Sequence, residues 1–327
     1  MPTISDPPPL VVVLGGGGSI GSLVTASLAA RPVRLRAVSR RPTPRPVGGR
    51  AAVEVRSADM TDIGQLRSAI DGADAIVHLI APGPDAGVIA GLLDALAARP
   101  ARSEPPAVIY AGSITQVGAP PRTLLDGTET DLPDTAVARD KHAAERALLQ
   151  AGADGAVRGV SVRLPTVFGH NPATGRFDSG VVTAMIGRAI AGDALTMWHD
   201  GTVQRDLLHV QDAAAALLAA FDNVDTLAGG HWLVGTGVRT PLGDAFRAIA
   251  DIVARRTQTA PVPVISVPPP RPLSATDVTS AVVDPSAFQR RTGWAARVPL
   301  RDGLEWTVAG ALEARSDGLR PTDRAGP

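Results

Sequence analysis

The chain has 327 residues, 44% of them hydrophobic and 20% charged, the balance of a globular protein with one large domain or two closely packed ones. Lysine plus arginine equals aspartate plus glutamate, at 32 each, so the charge favours neither a nucleic acid nor an anionic membrane as a partner. Because the sequence has no cysteine and its six histidines lack metal-ligand spacing, disulfides, thiolate catalysis and a metal site are not expected. No apolar run reaches bilayer length and no signal peptide is visible, so a cytoplasmic protein is expected.

The N-terminal half alternates short apolar strands with helices. Residues 1–9 are proline-rich and are expected to be a disordered leader; the apolar, β-branched strand Leu10–Leu14 follows, typical of a strand buried on both faces. GGGGSIG comes next and opens a helix that ends before Pro32. Further strands are predicted at 33–40, 51–59, 73–82, 106–113 and 157–169. This order predicts an α/β fold with a doubly wound parallel sheet of the Rossmann type.

The alternation loosens after about residue 170, which indicates a change of architecture. We expect residues 10–169 to form the dinucleotide-binding domain, with a later contribution from residues near 203–235. Residues 170–202 and 236–313 are expected to form a smaller C-terminal substrate-binding lobe. Residues 314–327 are expected to be a tail.

The glycine-rich turn after the first strand predicts a dinucleotide site. Gly15, Gly18 and Gly21 are spaced three apart between a strand and a helix. Such glycines allow a sharp turn and close approach to a pyrophosphate, while the free N–H groups at the helix start, around Ser19 and Ile20, hold the anion.

The end of the second strand distinguishes two forms of the cofactor. An NAD-binding chain usually has an acidic residue here that binds the ribose hydroxyls. This chain has Ser39, Arg40 and Arg41, and arginine pairs with a 2′-phosphate through charge-assisted bonds. NADPH is therefore the expected cofactor; the alternative is that these arginines are merely solvated at a loop edge.

An ordered series of motifs over residues 10–310 resembles extended short-chain dehydrogenases/reductases, the NAD-dependent epimerase/dehydratase superfamily. The motifs are VVVLGGGGSIG, SADMTD, IVHLIAP, VIYAGSITQVG, KHAAE, VRLPTVFGHNP, GTVQRDLLHVQDAA and RTGWAARVPLRDGL. The resemblance implies that Asp59 contacts the adenine, that Ser113 and Lys141 are catalytic, and that Lys141 also holds the nicotinamide ribose. It extends the cofactor contacts to Met60, Leu79, Ile80, Ala81, Leu164 and Val167.

One catalytic position departs from this pattern. In the family a serine polarises the carbonyl, a tyrosine donates the proton, and the lysine lowers the pKa of the tyrosine. The tyrosine position, four residues before Lys141, holds Val137, and the single tyrosine, Tyr110, lies elsewhere. Three interpretations stay open: the alignment slips in the loop 119–135, turnover is lost, or the proton comes from Thr135, Asp140, His142, Thr166 or a water ordered by Lys141 or Ser113.

The second half has a narrower resemblance to NDP-hexose 4-ketoreductases of deoxysugar biosynthesis, which serve the glycosylation of natural products such as antibiotics. It rests on RLPTVFG, GVVTAMIGRAIAGDALTMWHDG, QRDLLHV and LAGGHW. The resemblance implies that Arg205 binds the diphosphate of a sugar nucleotide and that Ser113, Thr166 and Asn171 contact the substrate. The alternative for Arg205 is a structural ion pair with Asp206.

The expected function is therefore NADPH-dependent reduction of the 4-keto group of a dTDP-4-keto-6-deoxyhexose, specifically a 2,6-dideoxy sugar. The alternatives are a nucleotide-sugar epimerase or dehydratase that retains NAD, and a cofactor-binding homologue with impaired catalysis. Small residues along the helix 136–151 favour a homodimer, unless these alanines pack on the sheet.

Overall fold

The computed structural model describes residues 7–41, 43–46, 49–80, 85–100, 104–198, 200–269 and 272–316. The first part of the chain alternates strands and helices near the predicted positions. Its elements are β1 (Leu10–Leu14), α1 (Ser19–Ala29), β2 (Arg34–Ser39), β3 (Ala52–Ser57), α2 (Ile63–Ile70), β4 (Ala75–His78), α3 (Asp85–Ala97), β5 (Ala107–Ser113), β6 (Leu124–Leu125), α4 (Ala136–Ala153) and β7 (Arg158–Leu164).

The second part has shorter strands and longer separations between them. Its elements are β8 (Thr166–Phe168), β9 (His170–Asn171), β10 (Arg176–Phe177), α5 (Val181–Ala191), β11 (Leu195–Met197), β12 (Gln204–Arg205), β13 (Leu207–His209), α6 (Val210–Asp222), α7 (Val224–Leu227), β14 (Gly230–Leu233), β15 (Thr240–Pro241), α8 (Leu242–Thr257), β16 (Val264–Ser266), α9 (Ala275–Val278), β17 (Val282–Val283), α10 (Ser286–Thr292) and α11 (Leu300–Ser316).

Seven of the described strands form one sheet in the order β14-β7-β5-β4-β1-β2-β3. Every neighbouring pair in it is parallel. The strand order reverses between β1 and β4, and in such sheets a ligand crevice opens at the carboxyl ends of the strands at this point. The predicted α/β fold with a doubly wound parallel sheet is confirmed.

The two faces of this sheet carry separate hydrophobic clusters. Val11 and Val13 of β1 face a cluster that includes α1 and α6. Val12 and Leu14 face the opposite cluster, which includes residues of α2, α3 and α4. Because successive side chains of a strand point to opposite faces, the continuous apolar run of β1 packs against both clusters.

A third cluster forms a second lobe outside the sheet. Phe168 and Phe177 pack there with residues of α5, α8 and α11. The last helix continues to Ser316, and Ala314 is buried, so residues 314–316 belong to this lobe and the predicted tail begins later than expected. Apolar packing on α5 and α8 extends the helix; residues 317–327 lie outside the described part of the chain.

The end of the predicted leader is bonded to the sheet. The carbonyl of Pro8 accepts a hydrogen bond from Arg34 Nε at 2.9 Å, and that of Pro9 accepts from the Arg34 backbone N–H at 2.9 Å. Pro8 and Pro9, which the prediction placed in the leader, are therefore attached to the sheet, and residues 1–6 lie outside the described residues. Across the described helices, none combines the length and the apolar composition needed to cross a membrane.

Candidate functional site

A cavity of about 350 Å³ lies at the carboxyl ends of β1, β2 and β4, where the strand order reverses. It brings together most of the residues predicted to bind the dinucleotide. These are Gly15, Gly18, Ser39, Arg40, Arg41, Asp59, Met60, Leu79 and Ile80. Ser19, Ile20 and Gly21 form the adjoining first turn of α1, and Ala81 lies outside the described residues.

The glycine turn has the shape that a pyrophosphate needs. Gly15 has φ +85°, and a Cβ on it would lie 2.3 Å from the Leu79 carbonyl oxygen. A Cβ on Gly21 would lie 2.0 Å from the Gly15 carbonyl oxygen, so both positions require glycine. A Cβ on Gly18 would meet only the Gly15 oxygen, at 3.5 Å, so the space beside Gly18 is open to a ligand.

No side chain neutralises the positive end of the helix dipole at the start of α1. Its N-cap, Gly18, makes no side-chain cap, and the first turn has no acidic residue. Helix N–H groups and the helix dipole favour an anion at such an end. The chain residues present therefore fit the diphosphate of a dinucleotide.

The segment after β2 brings two arginines, Arg40 and Arg41, to the same cavity. The guanidinium groups of Arg40 and Arg41 form no hydrogen bond or ion pair with a described residue. Their backbone is held in place, because the Arg41 carbonyl accepts from Ser39 Oγ at 2.6 Å and the Arg40 carbonyl accepts from Ser57 Oγ at 2.9 Å.

Asp59 is the acidic residue of this cavity. Thr61 donates to its carboxylate from the backbone at 2.9 Å and from the hydroxyl at 2.8 Å. These bonds, with the charge of Arg40, hold the pKa of Asp59 below its ordinary value. The carboxylate is therefore ionised and fixed at neutral pH.

Several cavity residues were missed by sequence reasoning. Thr43, Thr61 and Arg176 line the cavity with Gly17 and Val88. Thr61 stands in the SADMTD motif and could have been found there. Thr43 comes from a loop and Arg176 from the two-residue strand β10, neither with a recognisable pattern, and only the fold brings them to this cavity.

The predicted catalytic residues flank the carboxyl end of β5. Ser113 ends this strand, and its Oγ accepts from the Thr115 backbone N–H at 3.2 Å and lies 2.9 Å from Thr115 Oγ1. Lys141 donates from Nζ to the Ala111 carbonyl at 3.1 Å, and Nζ lies 5.2 Å from the centre of the Tyr110 ring. Leu164 is the register partner of Ser113 on β7, and Val167 follows on β8. Neither Ser113 nor Lys141 lines the dinucleotide cavity itself.

The position at which the resemblance implies a tyrosine is open to solvent. Val137 lies one turn before Lys141 on α4 and is 45% exposed. Tyr110 does not supply a phenol at this position, because it lies within β5 and is fully buried.

The neighbouring polar groups have other partners. Thr135 caps α4 by accepting from the Ala138 N–H at 3.1 Å, and Asp140 accepts from the Ala86 N–H at 3.2 Å. His142 Nδ1 lies 3.3 Å from an Asp131 oxygen. Of the four residues considered for the proton, only Thr166 lines a cavity near the catalytic strand.

Behind the catalytic strand lies a buried group of charges, which we call the Arg163 cluster: Asp131, Glu145, Ser161 and Arg163. Arg163 bonds both carboxylates, with 2.8 Å from Nη1 to Asp131 Oδ1, and Ser161 Oγ donates to Glu145 at 2.5 Å. Burial alone raises the pKa of Glu145, but the bonds from Arg163 and Ser161 lower it below its ordinary value on balance. This cluster joins α4, which carries Lys141, to β7.

His78 has a structural environment. It is buried on β4, and its ring centre lies 5.4 Å from that of Tyr110. Burial and the charge of Lys141 lower the pKa of His78 to about 3. The residue is therefore neutral at physiological pH.

A second cavity of about 200 Å³ adjoins the end of β5. Thr115, Thr166 and Arg205 supply polar side chains to it, among apolar residues such as Ile114 and Pro165. The structure thus brings together two of the residues predicted to contact the substrate, with Thr115 as a third that sequence reasoning missed.

Arg205 does not form the alternative ion pair with Asp206. Its two terminal nitrogens donate to four backbone carbonyls, including those of Thr276 at 2.7 Å and Thr279 at 2.6 Å. Asp206 instead accepts from the Thr236 and Gly237 backbone N–H groups, both at 2.9 Å. Burial lowers the pKa of Arg205, and no carboxylate bonds it among the described residues. Its position is rigid, and it faces the second cavity.

Asn171 lies apart from the other residues predicted to contact the substrate. It is buried outside both cavities; its amide nitrogen donates to Ser22 Oγ at 2.8 Å, and its oxygen accepts from the Ala173 N–H at 2.9 Å. Its polar atoms are therefore engaged with α1 and its own turn.

Comparison with known proteins identifies the family. The model of the NAD dependent epimerase/dehydratase family matches residues 11–235. The chain belongs to this family. The match includes the glycine turn, Ser113, Lys141 and the strand β14 that completes the sheet.

Individual members of the epimerase/dehydratase family are distant. A UDP-glucose 4-epimerase of Caenorhabditis elegans is 34% identical over 107 residues, which are 32% of this chain and 28% of that protein. The chain thus matches less than a third of that relative.

Solved structures are similar over nearly their whole length. MoeE5 in complex with UDP-glucose and NAD has a TM-score of 0.76 at 22% identity, over 94% of this chain and 99% of its own. The UDP-glucose 4-epimerase of Thermotoga maritima with UDP-glucose has a TM-score of 0.76 at 20% identity, with the same coverage. That of Bifidobacterium longum with NAD⁺ and UDP has a TM-score of 0.76 at 19% identity, over 94% and 99%. These identities establish a shared fold.

Proposed function

We propose that this protein catalyses the NADPH-dependent reduction of the 4-keto group of a dTDP-4-keto-6-deoxyhexose, specifically a 2,6-dideoxy sugar. The observation that carries the proposal is the end of β2. Arg40 and Arg41 line the dinucleotide cavity with unpaired guanidinium groups, where an NAD-binding chain has an acidic residue. Arginine pairs with a 2′-phosphate through two parallel charge-assisted bonds.

The choice of NADPH distinguishes a reductase from an epimerase. The family and its NAD-bound neighbours support a nicotinamide dinucleotide in the cavity. When bound, it supplies a hydride to the keto carbon. A reductase consumes its cofactor and draws on the NADPH pool, whereas an epimerase regenerates bound NAD within each cycle. A site selective for the 2′-phosphate therefore favours net reduction.

The second cavity is proposed to hold the sugar nucleotide. Arg205 is kept in place by four carbonyls and retains its positive charge, which attracts the diphosphate. Thr166 and Thr115 provide hydroxyl groups for the sugar. The preference for thymidine and for a 2,6-dideoxy sugar rests on the resemblance of the second half to 4-ketoreductases.

The proposed chemistry uses Ser113 and Lys141 without a tyrosine. Ser113 Oγ is oriented by Thr115 and polarises the keto oxygen. Lys141 is oriented by the Ala111 carbonyl and holds positive charge beside the developing alkoxide. We place the proton source in a water that enters beside the exposed Val137. Because a positioned acid contributes about 10²–10⁴-fold, turnover is expected to be slow.

Two other functions remain as outcomes of the experiment. The NAD-bound and UDP-sugar-bound neighbours favour a nucleotide-sugar epimerase or dehydratase that retains NAD. The missing tyrosine favours a cofactor-binding homologue with impaired catalysis.

A paired assay separates these functions. The nucleotide released from the denatured protein is identified, and the protein is then given NADPH with dTDP-4-keto-6-deoxyglucose or, separately, UDP-glucose. We expect oxidation of NADPH with the ketosugar only, and its loss in Lys141→Ala. Copurified NAD⁺ with conversion of UDP-glucose to UDP-galactose identifies an epimerase. Tight NADPH binding without turnover of either sugar identifies a non-catalytic homologue.

Restoring the tyrosine tests the proton source. In Val137→Tyr the phenol returns one turn before Lys141, and we expect the rate of NADPH oxidation to rise by about 10²-fold or more. Val137→Phe is the matched control, since it adds the ring without the hydroxyl. A lower rate in Val137→Tyr than in Val137→Phe contradicts a vacant acid position.

A homodimer is part of the same proposal. Ala136, Val137 and Ala143 are exposed on α4 and leave a small-residue face uncovered. Light scattering is expected to give a molecular mass twice that of one chain. In Ala143→Glu the measured mass is expected to fall to that of a single chain.

A further inference from the structure

One wall of the dinucleotide cavity belongs to the second lobe. Arg176, the first residue of β10, lines the cavity beside Gly17 and Gly18. Its guanidinium forms no hydrogen bond or ion pair with any residue that the structure describes. The five N–H donors of this guanidinium are therefore available to an anionic ligand bound at the glycine turn.

The backbone around Arg176 is held from two sides. On β9 and β10, Arg176 is the register partner of Asn171, whose amide donates to Ser22 Oγ on α1 at 2.8 Å. On the other side Phe177 is buried in the lobe and stacks on His170, with ring centres 5.0 Å apart. The hairpin is therefore fixed to both the glycine-turn helix and the lobe, and it keeps Arg176 near the start of α1.

The positive charge of the cavity comes from two parts of the chain. Arg40 and Arg41 follow β2, and Arg176 lies on the β9–β10 hairpin, whose Asn171 donates to Ser22 of α1. Asp59, the carboxylate of the cavity, is held by Thr61. A phosphorylated dinucleotide also carries two separate anionic groups, the 2′-phosphate and the pyrophosphate, and an arginine fork fits the oxygens of either. Because the hairpin is attached near the N-terminal end of α1, which favours an anion, the pyrophosphate is the group within reach of Arg176.

We propose that Arg176 binds the pyrophosphate of the nicotinamide dinucleotide from the second lobe, and so ties this lobe to the loaded cofactor. The proposal rests on the proposed function only in that the cavity takes a dinucleotide. It applies to NADH and NADPH alike, because both have the same pyrophosphate.

The experiment measures dissociation constants of NADH and NADPH for the full chain by calorimetry, without sugar substrate. Arg176→Met is compared with Arg176→Lys and with Arg290→Met, which removes one exposed charge from α10. In Arg176→Met both constants are expected to rise by the same factor, about tenfold to a hundredfold, since that is the range for a hydrogen bond to a charged group. Arg176→Lys is expected to recover part of the loss, and Arg290→Met to match the natural chain.

Each outcome decides the proposal. A loss confined to NADPH assigns Arg176 to the 2′-phosphate and overturns it, as does unchanged affinity for both nucleotides. If Arg176→Met unfolds, the comparison of Arg176→Lys with the natural chain still tests it, because a point charge replaces the planar fork. Equal loss of NADH and NADPH affinity in Arg176→Met supports this inference whether or not the protein reduces a ketosugar. Failure of the natural chain to reduce a ketosugar contradicts only the reductase proposal.

Discussion

Arg163 and the arginines of the dinucleotide cavity differ in how their charge is used. Arg163 is 1% exposed and bonds the carboxylates of Asp131 and Glu145. Arg40, Arg41 and Arg176 form no hydrogen bond or ion pair with a described residue and line a cavity. A charge neutralised inside the protein holds elements together, whereas a charge left unpaired in a cavity favours an anionic ligand. The four predictions below test this contrast.

The largest effect is expected at Arg163. In Arg163→Met, Glu145 stays buried without its cation, and breaking a buried ion pair costs about 3–5 kcal/mol. The free energy of unfolding at pH 7, measured with urea, is expected to fall by that amount. The double variant Arg163→Met/Glu145→Leu is expected to recover part of the loss, because the unpaired charge is gone. A change below about 1 kcal/mol in the single variant contradicts a supporting role for the cluster.

Arg40 is expected to affect binding and leave stability unchanged. In Arg40→Met the affinity for NADPH is expected to fall by about 1.5–3 kcal/mol, and that for NADH to stay the same, because only the 2′-phosphate is lost as a partner. Dissociation constants of the two nucleotides provide the measurement, with urea unfolding as the control. Equal weakening of both would show that Arg40 does not read the 2′-phosphate.

The buried histidine His209 is expected to make the free energy of unfolding depend on pH. Burial, with the charge of His170, lowers the pKa of His209 to about 4, below the ordinary value of 6.5. The unfolded chain therefore binds the proton first, and stability that is fully present above pH 6.5 is lost as the pH falls towards 4. The expected loss is about 3 kcal/mol.

The matched variant for this window is His209→Asn. Asparagine keeps an acceptor at the N-cap of α6 and does not titrate. Urea unfolding between pH 7 and pH 4 is expected to show a shallower decline in the variant. Parallel curves for the two proteins would assign the decline to other groups, such as His78.

The smallest effect is expected at a paired but exposed arginine. Arg31 bonds Asp222 on α6, with 3.1 Å from Nη2 to Oδ2, and both side chains are partly solvated. In Arg31→Ala the free energy of unfolding is expected to change by less than about 1 kcal/mol, and the difference to shrink in high salt. If Arg31→Ala lowered the free energy of unfolding as much as Arg163→Met, burial would not explain why the two arginines differ in their contribution to stability.

Local patterns predicted the sheet and one end of the site. The apolar run of β1, the glycine turn and the arginines after β2 are adjacent in sequence, so their meaning follows from spacing and residue type. Arg205 and Asn171 were harder to interpret. Three of the four carbonyls that hold Arg205 lie more than 70 residues away, and Ser22 is 149 residues from Asn171. No local pattern shows which side chains will be engaged by such distant partners.

The sequence by itself determined the α/β fold, the family and the glycine turn, and it shows valine at position 137, where the resemblance implies a tyrosine. Only the tertiary structure decided which polar groups are engaged inside the protein and which are left for a ligand. It paired the amide of Asn171 with Ser22 and brought Arg176 to the cavity beside the glycine turn. The physical reason is that periodicity encodes which face of an element is buried, while hydrogen-bond partners depend on where distant segments meet.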